Sequence, residues 1–476
     1  MRREYFVKNL QLIILSGIII CLFLFKLSVL YLPHFWDDAW PYATGVHLMY
    51  EHGLSLLPGA IPFEVSRGHP LLFHFLFAGW MKIFGASLIS IHFFSFLISV
   101  ALLVTVYFFC AKYFGRETAL WSFALLCTQA VFVAQSGLVL PEMMLALLGL
   151  LSMYFYLQRA FFLYFLFASL MLLTKESGVV LIVVLFIYEL TGQLGLKNNV
   201  HSPLRKANRL LIVVLPILFA SWFFILQKIK TGYFFLPIYT DSENFSAISV
   251  RGKLYDYAAY FFIYQGRNIA SITILISLVW ILFIRKAWIK PEHKKIISLM
   301  SILIVLFLVF SSCNFYSPRY LLFILPAFAI IVSFMLTQAF SSLKIVKVIL
   351  GGAMLFASLT YCLRKYPVND HSTSYFDAIQ VSQETVLYCE QNNLFDRKIE
   401  TSFLMQNYLS NKYCGYLSAD KVFTNVKSGR NALPDFFIRC SFEKQNNFDA
   451  LLIEYEPVLL MRFEKNYSWV EIYQVK

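Results

Sequence analysis

Long apolar runs alternate with short polar segments through the first three quarters of the chain. A helix of about 20 apolar residues crosses the hydrocarbon core of a bilayer, and shorter helices suffice inside a bundle. We interpret eleven such runs as membrane-spanning helices, at 10–32, 88–111, 118–136, 141–157, 160–174, 177–195, 209–228, 268–285, 296–312, 319–340 and 345–363. The pattern predicts an α-helical polytopic membrane protein, with residues 1–363 as its transmembrane domain.

Basic residues occur mainly in one set of the connecting segments. Arg2 and Arg3 favour a cytoplasmic N-terminus, because Lys and Arg are retained on the cytoplasmic side. The alternation of spans then places the other basic clusters on that side too, at 112–116, 159, 197–209, 285–295 and 344–347. The outer side receives the remaining segments, which are 33–87, 137–141, the turn near Lys175, 229–267, 313–319 and everything after residue 363.

Composition agrees with a membrane protein, since 59% of the 476 residues are hydrophobic and 14% are charged. The formal net charge of +13 follows from the orientation of the spans and does not indicate a nucleic-acid partner. The first apolar run is too long for a signal peptide and lacks a small-x-small cleavage site. No cysteine spacing indicates a zinc site. In an oxidising compartment, a disulfide between two of the three cysteines Cys389, Cys414 and Cys440 stays an open alternative.

The outer segment 33–87 is too apolar for a simple loop. Its run His69–Phe77 predicts a short helix that lies in the membrane interface or dips into it. A true span here would move the basic segments to the outer side, so we reject it. The outer segment 229–267 is rich in tyrosine, which favours an aromatic belt at the headgroups and leaves a stacking surface for a sugar or lipid head as the alternative.

The composition becomes polar after Tyr361, and residues 364–476 predict a small α/β domain outside the membrane. A helix-like stretch lies near Thr373–Gln391. Four strand-like runs follow it, at Lys398–Phe403, Phe436–Cys440, Leu451–Tyr455 and Val470–Val475.

Asp37 and Asp38 directly follow the first span and stand between Trp36 and Trp40. Adjacent acids are costly beside a bilayer, so they mark a candidate functional site. The alternative is that both acids lie in water while the two tryptophans anchor the chain at the interface.

Further charged residues fall on the same outer side: Glu64 and Arg67 with His69, Glu142 after Pro141, Lys175 with Glu176, and Arg319 with Tyr320. Carboxylates and cations together suit the transfer of a group from a phosphate-bearing lipid. An ionised acid takes a proton from the acceptor, while Lys and Arg hold the leaving phosphate. The structural alternatives are that Glu142 caps its helix, that Lys175 and Glu176 form a local pair at the interface, and that Arg319 extends to the lipid headgroups.

These residues belong to motifs that occur in the order Asp37-Asp38, Gly68-His69-Pro70-Leu71, Leu140-Pro141-Glu142-Met143, Leu173-Thr174-Lys175-Glu176-Ser177 and Ser317-Pro318-Arg319-Tyr320-Leu321. Over residues 8–340 the chain resembles the C-type integral membrane glycosyltransferase superfamily. Within it, the chain is similar to the protein O-mannosyltransferase and lipid A aminoarabinose transferase group. The family usually has Asp-Glu at the first motif and Lys-Pro-Pro-Leu at the second, so Arg67 or His69 would replace the missing lysine.

The resemblance implies a glycosyltransferase that moves a sugar from a polyprenyl-phosphate donor to an acceptor hydroxyl at the outer face, by a single inverting displacement. Asp37 would be the base. By resemblance, the catalytic residues are Asp37, Asp38 and Glu142. The residues that bind the donor phosphate are Lys175, Arg319 and Arg67, and the further candidates are His69, Glu176 and Tyr320.

The acceptor is then a lipid, a glycan or a protein, and the resemblance indicates a bacterial inner membrane with the active site and C-terminal domain on the periplasmic side. The reaction requires no cofactor or metal, although adjacent acids allow a weak divalent-metal site. Two alternatives stay open. One is a transporter or flippase for a lipid-linked glycan, and the other is a glycan polymerase or ligase that uses a pyrophosphate-linked donor.

Overall fold

The computed structural model describes residues 2–27, 29–191, 203–235, 246–284, 289–418, 421–429, 434–443 and 453–475. The helices up to residue 363 are α1 (Arg2–Leu27), α2 (Thr44–His52), α3 (Phe63–Ser66), α4 (Leu72–Phe84), α5 (Leu88–Tyr113), α6 (Arg116–Cys127), α7 (Ala130–Gln135), α8 (Pro141–Leu157), α9 (Phe161–Thr174), α10 (Val179–Leu190), α11 (Pro203–Thr231), α12 (Ala247–Phe262), α13 (Arg267–Val279), α14 (Pro291–Ser312), α15 (Leu325–Ala339) and α16 (Lys344–Leu363). They form one bundle around a continuous apolar core.

Five helices in the described ranges are long and apolar enough to cross a bilayer: α5, most of α11, α13 with its extension to Ile284, α14 and α16. Shorter apolar helices lie in α1, α4, α8, α9 and α15. Large apolar side chains such as Phe108, Phe283 and Ile345 are exposed on the bundle surface, which suits contact with lipid. The chain is an integral multi-pass membrane protein, as predicted.

Each of the eleven predicted runs contains a helix, and the differences lie at the helix ends. The run 118–136 is divided into α6 and α7, because Gln129 adopts an extended backbone with φ −69° and ψ 127°. The run 319–340 begins with a 3-10 turn at Pro318–Phe323, and its α-helix starts only at Leu325. The end of the run 177–195 falls on residues outside the described ranges.

The outer segment between α1 and α5 is itself helical. The short helix predicted at 69–77 is present as α4, which begins at Leu72 and continues to Phe84. The helix α2 was not predicted. It packs closely against α4 because Gly45 has no side chain, and a Cβ at this position would lie 2.8 Å from Cδ2 of His74.

The residues after α16 form a small mixed sheet with helices, which confirms the predicted α/β structure. The elements are α17 (Tyr375–Gln391), α18 (Phe403–Ser410), β1 (Ile399–Thr401), β2 (Val426–Ser428), β3 (Phe436–Cys440), β4 (Val458–Lys465) and β5 (Ser468–Gln474). The strand order is β2-β1-β3-β5-β4. Strand β1 is parallel to β2 and β3, and β5 is antiparallel to β3 and β4.

The prediction of a strand at Leu451–Tyr455 is wrong for the part of this range that the structure describes. Residues 453–455 form a helical turn, residues 451 and 452 lie outside the described ranges, and β4 begins only at Val458. Strand β4 is a largely exposed edge strand, so it lacks the alternation of apolar and polar residues that marks a half-buried strand. The strand β2 was missed because it has only three residues, two of them exposed.

The three cysteines of the tail are buried free thiols: Cys389, Cys414 and Cys440. The Sγ of Cys414 donates to the carbonyl of Ala39 at 3.8 Å, and the Sγ of Cys440 lies 3.5 Å from Oγ of Ser402. The disulfide that the sequence left open is not formed in this structure.

The C-terminal part packs against the segment that carries Asp37. The ring of Tyr375 stacks on Phe35 with a centroid distance of 5.6 Å. The hydroxyl of Tyr408 accepts a hydrogen bond from the backbone N–H of Trp36 at 3.4 Å. These contacts hold the acidic segment between the bundle and the tail. The division of the chain at residue 363 into two domains stays a prediction.

Candidate active site

Charged side chains from five separate segments meet at one end of the bundle. Asp37 follows α1, Glu142 lies in the first turn of α8, Lys175 follows α9, Arg319 precedes α15 and Asp370 follows α16. These are the ends of the spans that the basic-residue pattern assigned to the outer side. Four of the five residues were predicted from the sequence, and Asp370 was not.

Arg319 is the centre of this cluster. Pro318 starts the 3-10 turn that carries it, and its side chain is 4% exposed. Its Nη2 donates to Asp37 and its Nη1 donates to Asp370. Its Nε lies 3.5 Å from Oε1 of Glu142. One guanidinium therefore joins acids from three segments that are far apart in the sequence.

The segment before Arg319 is held in place by Tyr257 of α12. The buried Tyr257 hydroxyl accepts from the backbone N–H of Ser317 at 2.8 Å and donates to the carbonyl of Phe315 at 3.0 Å. This tyrosine thus supports the site from the segment in which an aromatic belt was predicted. The exposed tyrosines of that segment are Tyr233, Tyr255 and Tyr264, and Tyr239 lies outside the described residues.

The ion pairs around Arg319 stay charged at neutral pH. Burial would raise the pKa of Asp370. Arg319 and His371 together have a larger effect in the opposite direction, so the pKa of this carboxyl lies below its ordinary value. Burial alone would lower the pKa of Arg319, but Asp37 and Asp370 outweigh it and hold that pKa well above its ordinary value. The opposite charges therefore stabilise each other's ionised forms.

Asp37 keeps a partly exposed carboxylate between two guanidinium groups. Its side chain is 26% exposed, and its Oδ1 lies 3.7 Å from Nη2 of Arg67, while Oδ2 accepts from Arg319. Arg67 has a left-handed backbone with φ 56°, and its guanidinium lies 5.2 Å from the ring centre of Trp40. An ionised carboxylate that is fixed in place and still accessible can accept a proton from a bound hydroxyl.

Asp38 points away from this cluster, into the protein. Its side chain is 0% exposed, and its Oδ1 accepts from the backbone N–H of Val139 at 3.0 Å and lies 3.0 Å from Nδ1 of His34. Consecutive residues in a helical turn project about 100° apart, so the two acids face different surroundings. His34, Asp38 and His92 also have donor atoms within 4.8 Å of one another, a separation that a metal ion can bridge.

Lys175 forms a buried ion pair with Glu142. Its Nζ donates to Oε1 of Glu142 at 2.9 Å and lies 4.1 Å from the ring centre of Tyr320. The helix α9 ends at Thr174, and the extended backbone of Lys175 follows it. Burial has the largest single effect and would lower the pKa of Lys175, but Glu142, Tyr320 and Tyr42 together outweigh burial and hold that pKa well above its ordinary value. Lys175 is therefore a buried ammonium that is paired with a carboxylate.

His69 and Glu176, two further candidates from the sequence, form a pair of their own. Nδ1 of His69 lies 2.9 Å from Oε2 of Glu176. Burial has the largest single effect and would raise the pKa of Glu176, but His69 and Lys175 together with a backbone hydrogen bond outweigh burial, so that pKa lies below its ordinary value. The pair joins the outer segment 33–87 to the turn between α9 and α10.

An apolar cavity of about 460 Å³ opens beside Lys175. One end is polar and carries His69, Glu142, Lys175 and Glu176. The rest of the wall consists mainly of apolar side chains from α9, α10, α11 and α14, including Leu172, Val179, Ile217, Phe224, Phe307 and Phe310. A long apolar wall with charges at one end suits a lipid with an anionic headgroup.

A second, polar cavity of about 430 Å³ contains the carboxylate of Asp37. Its other polar lining residues include Arg67, Arg319, Asn369, Asp370 and His371, and its aromatic ones include Trp36 and Tyr316. Phe315 and Tyr320 line both cavities, so the two spaces meet at these rings. Neither cavity is lined by Asp38.

Asp370 and His371 were not predicted from the sequence. Both follow α16 in a polar segment, and locally they resemble any loop at a membrane surface. Their position on the predicted outer side was the one signal that could have identified them. Tyr257 was missed for a different reason, because tyrosines near a membrane interface are common and the buried one cannot be recognised from composition.

Comparisons with known proteins agree with this fold. A family described as dolichyl-phosphate-mannose-protein mannosyltransferase matches residues 68–223. The chain is similar in structure to ArnT from Cupriavidus metallidurans bound to undecaprenyl phosphate, with a TM-score of 0.59 and 13% identity over 97% of each chain. It is also similar to the apo state of that protein, with a TM-score of 0.51 and 12% identity over 96% of this chain and 98% of that chain.

No curated protein matches the chain in sequence. The family match and the two structural similarities are therefore the findings that bear on its relationships. They confirm the resemblance seen in the motifs, and the chain has the fold of the C-type membrane glycosyltransferases.

Proposed function

We propose that the chain is a membrane glycosyltransferase that moves a sugar from a polyprenyl-phosphate donor to an acceptor hydroxyl. The observation that carries this proposal is the meeting of the two cavities at Phe315 and Tyr320. The apolar cavity places the ammonium of Lys175 at its polar end, and the polar cavity contains the carboxylate of Asp37. A phosphate and an attacking hydroxyl can thus approach one sugar from two sides.

The reaction is a single displacement at the anomeric carbon. Asp37 accepts the proton of the acceptor hydroxyl, and the acceptor oxygen forms the new bond to the anomeric carbon. The bond from that carbon to the phosphate oxygen breaks on the opposite face, and polyprenyl phosphate leaves with the bonding electrons. Attack opposite the leaving group inverts the configuration of the sugar.

Two cations offset the charge that develops on the departing phosphate. Lys175 reaches the donor from the apolar cavity, and Arg319 lies beside Asp37, with its guanidinium 5.5 Å from the ring centre of Tyr320. Fixed positive charges in a site with little water stabilise such a transition state strongly. Arg67 lines the polar cavity and approaches Asp37, so it holds the sugar or the phosphate from the acceptor side.

The remaining acids position these groups. Glu142 lies between Lys175 and Arg319 and fixes both cations, at 2.9 Å from Nζ and 3.5 Å from Nε. Asp38 anchors the backbone beside Asp37 through the N–H of Val139. We therefore assign Glu142 and Asp38 as positioning residues in this proposal.

Two further points support the donor and the setting. The similar ArnT structure contains undecaprenyl phosphate, which is a polyprenyl phosphate. The basic segments assigned to the cytoplasmic side leave the charged cluster on the outer face. For this reason we propose that the reaction occurs at the outer face, in a bacterial inner membrane, on a lipid, glycan or protein acceptor.

Mass spectrometry of the lipids and glycans of cells with and without the protein tests the function. We expect a sugar-modified acceptor that disappears when the protein is removed, together with accumulation of the polyprenyl-phosphate sugar. Loss of the sugar modification with the lipid-linked sugar retained on the inner leaflet would indicate a flippase instead. A change in polymer length with accumulation of a pyrophosphate-linked donor would indicate a polymerase or ligase.

A further inference from the structure

Two buried histidines surround Asp38 on the side that faces away from both cavities. Nδ1 of His34 lies 3.0 Å from Oδ1 of Asp38 and 3.2 Å from Nε2 of His92. The Nε2 of His92 lies 3.9 Å from Oδ2 of Asp38. The three side chains are at most 4% exposed.

The hydrogen bonds of this cluster leave lone pairs unsatisfied. Nδ1 of His92 lies 3.2 Å from the carbonyl of Leu30, so Nδ1 carries the proton of the neutral ring and Nε2 presents a lone pair. Nδ1 of His34 faces both this lone pair and the carboxylate, and a single proton cannot satisfy both well. Oδ2 of Asp38 and Nε2 of His34 have no hydrogen-bond partner in the structure.

A small cation resolves this excess of acceptors. Ligands at about 2.0–2.2 Å from a tetrahedral zinc ion lie about 3.3–3.6 Å from one another. Nδ1 of His34 lies 3.2 Å from Nε2 of His92, and the carboxylate of Asp38 approaches the two rings through different oxygens, with Oδ1 3.0 Å from His34 and Oδ2 3.9 Å from His92. One ligand atom from each residue lies within 4.8 Å of the others, which is wider than the tetrahedral value but within reach of one ion. Two imidazoles with one carboxylate suit Zn²⁺ and its transition-metal neighbours, whereas Mg²⁺ and Ca²⁺ prefer a set of oxygen ligands.

The surrounding groups are those of a supported metal site. The carbonyl of Leu30 orients His92, as outer hydrogen-bond partners of metal-bound imidazoles do. The backbone N–H of Val139 fixes Oδ1 of Asp38 and leaves Oδ2 directed at the cluster. The ligands come from the segment after α1 and from α5, and Val139 adds the segment before α8.

We propose that His34, Asp38 and His92 bind a divalent transition-metal ion, with Zn²⁺ the preferred one. The ion has a structural role, because it is enclosed and does not reach either cavity. It fixes the backbone of Asp38 and hence the direction of the neighbouring Asp37. The site does not depend on the proposed reaction, and metal content measures it without any assay of sugar transfer.

The test uses the full chain purified in detergent, loaded with Zn²⁺ and passed through gel filtration before elemental analysis. We expect about one zinc ion per chain. The variants His92→Ala and Asp38→Ala should lower zinc affinity by more than about tenfold, since even the loss of an outer partner costs that much. His74→Ala is the matched control, because His74 is a buried histidine of α4 that lies outside the cluster, and it should retain the zinc.

A second measurement avoids variants that fail to fold. The wild-type chain is stripped with a chelator and then titrated with Co²⁺, and we expect the visible absorption of a tetrahedral cobalt site together with recovery of thermal stability. Wild-type chain that is folded but holds well under one zinc ion and gives no cobalt spectrum would overturn the proposal. Equal loss of zinc in His74→Ala and His92→Ala would also overturn it, since the metal would then be bound elsewhere or adventitiously.

Discussion

The guanidinium of Arg319 donates a hydrogen bond to the carboxylate of Asp37, although the two residues are 282 positions apart in the chain. The same guanidinium binds Asp370 through its other terminal nitrogen. The carboxylate of Asp37, which we propose as the base, is thus oriented by Arg319, and Arg319 is in turn fixed by Asp370 after α16. This arrangement leads to five predictions, each with its own measurement.

Replacement of Lys175 and Arg319 should weaken donor binding. Charge-assisted hydrogen bonds contribute roughly 1.5–3 kcal/mol each, which corresponds to about 10- to 100-fold in affinity. Lys175→Gln should therefore raise the donor KM by that factor while retaining a hydrogen-bond donor for Glu142. Arg319→Ala should raise the donor KM and also lower kcat, because Arg319 contacts Asp37 as well.

Arg319→Lys is the matched comparison for this pair. It should restore only part of the activity that Arg319→Ala loses. An ammonium cannot replace the planar guanidinium, whose two terminal nitrogens donate to Asp37 and Asp370. Steady-state kinetics with donor and acceptor varied separately provide the measurement. A rise in acceptor KM with an unchanged donor KM would mean that the donor and acceptor cavities have been exchanged in our assignment.

Replacement of Asp38 should lower the thermal stability more than the rate of sugar transfer. Asp38→Ala removes the acceptor of the buried Val139 N–H and the partner of His34. A buried polar group left without its partner costs about 1–3 kcal/mol, so thermal unfolding in detergent should occur at a lower temperature. Asp38→Asn should be milder. If Asp38→Asn instead keeps the parent's stability and loses all turnover, Asp38 and not Asp37 is the base.

Asp370 should contribute stability that depends on pH in a defined direction. Burial has the largest single effect and would raise its pKa, but Arg319 and His371 together outweigh burial, so the pKa lies below the ordinary value. The stabilisation is therefore complete above the unfolded-state pKa of about 3.9 and is lost as the pH falls through the lower folded-state pKa. Asp370→Asn should lower the melting temperature at pH 7, and the difference from the parent should shrink towards pH 3.

The exposed Asp396, which lies in the tail away from the site, provides the control for this pH series. Asp396→Asn should change the melting temperature little at any pH, because exposed ion pairs contribute little. A difference between Asp370→Asn and the parent that is equally large at pH 7 and at strongly acid pH would show that the Arg319 pair is not its source.

The orientation of the chain gives the fourth prediction. Ser342 lies between α15 and α16, and Ser428 lies in β2, and both are exposed. In sealed cells with an accessible outer face, Ser428→Cys should react with an impermeant thiol reagent, whereas Ser342→Cys should react only after permeabilisation. Labelling is compared with the parent chain, whose Cys21 is exposed on α1. Labelling of Ser342→Cys from outside would reverse the topology.

The sequence allowed the bundle and much of the site to be predicted. A bilayer requires long apolar helices, so the spans are visible as runs, and the alternation of basic segments assigns their ends to sides. For this reason Asp37, Glu142, Lys175 and Arg319 could be placed at one end of the bundle before any coordinate was known.

The separate roles of Asp37 and Asp38 could not be predicted in the same way. Whether an acid faces a cavity or two histidines depends on the rotation of one helical turn, which a pair of identical residues does not reveal. Asp370 depends on how the tail docks, and that docking rests on contacts such as Tyr375 with Phe35. Contacts of this kind join distant segments and leave no local pattern in the sequence.

The fifth prediction concerns the base. The parent chain and Asp37→Asn are each reconstituted in liposomes with a polyprenyl-phosphate sugar and an acceptor. The amide keeps the shape of the side chain but cannot take up the proton at neutral pH. Loss of a general base lowers the rate by about a hundredfold to ten-thousandfold. Glu64→Gln is the control, because Glu64 is an exposed acid of the same outer segment, and it should behave like the parent.

The rate at which polyprenyl phosphate is released, measured by mass spectrometry, tests the central claim most directly. The parent and Glu64→Gln should release it together with the glycosylated acceptor, and Asp37→Asn should remain folded and release it at no more than about a hundredth of that rate. Release by Asp37→Asn at the parent's rate, or a parent chain that carries the intact donor across the bilayer without releasing polyprenyl phosphate, would contradict it.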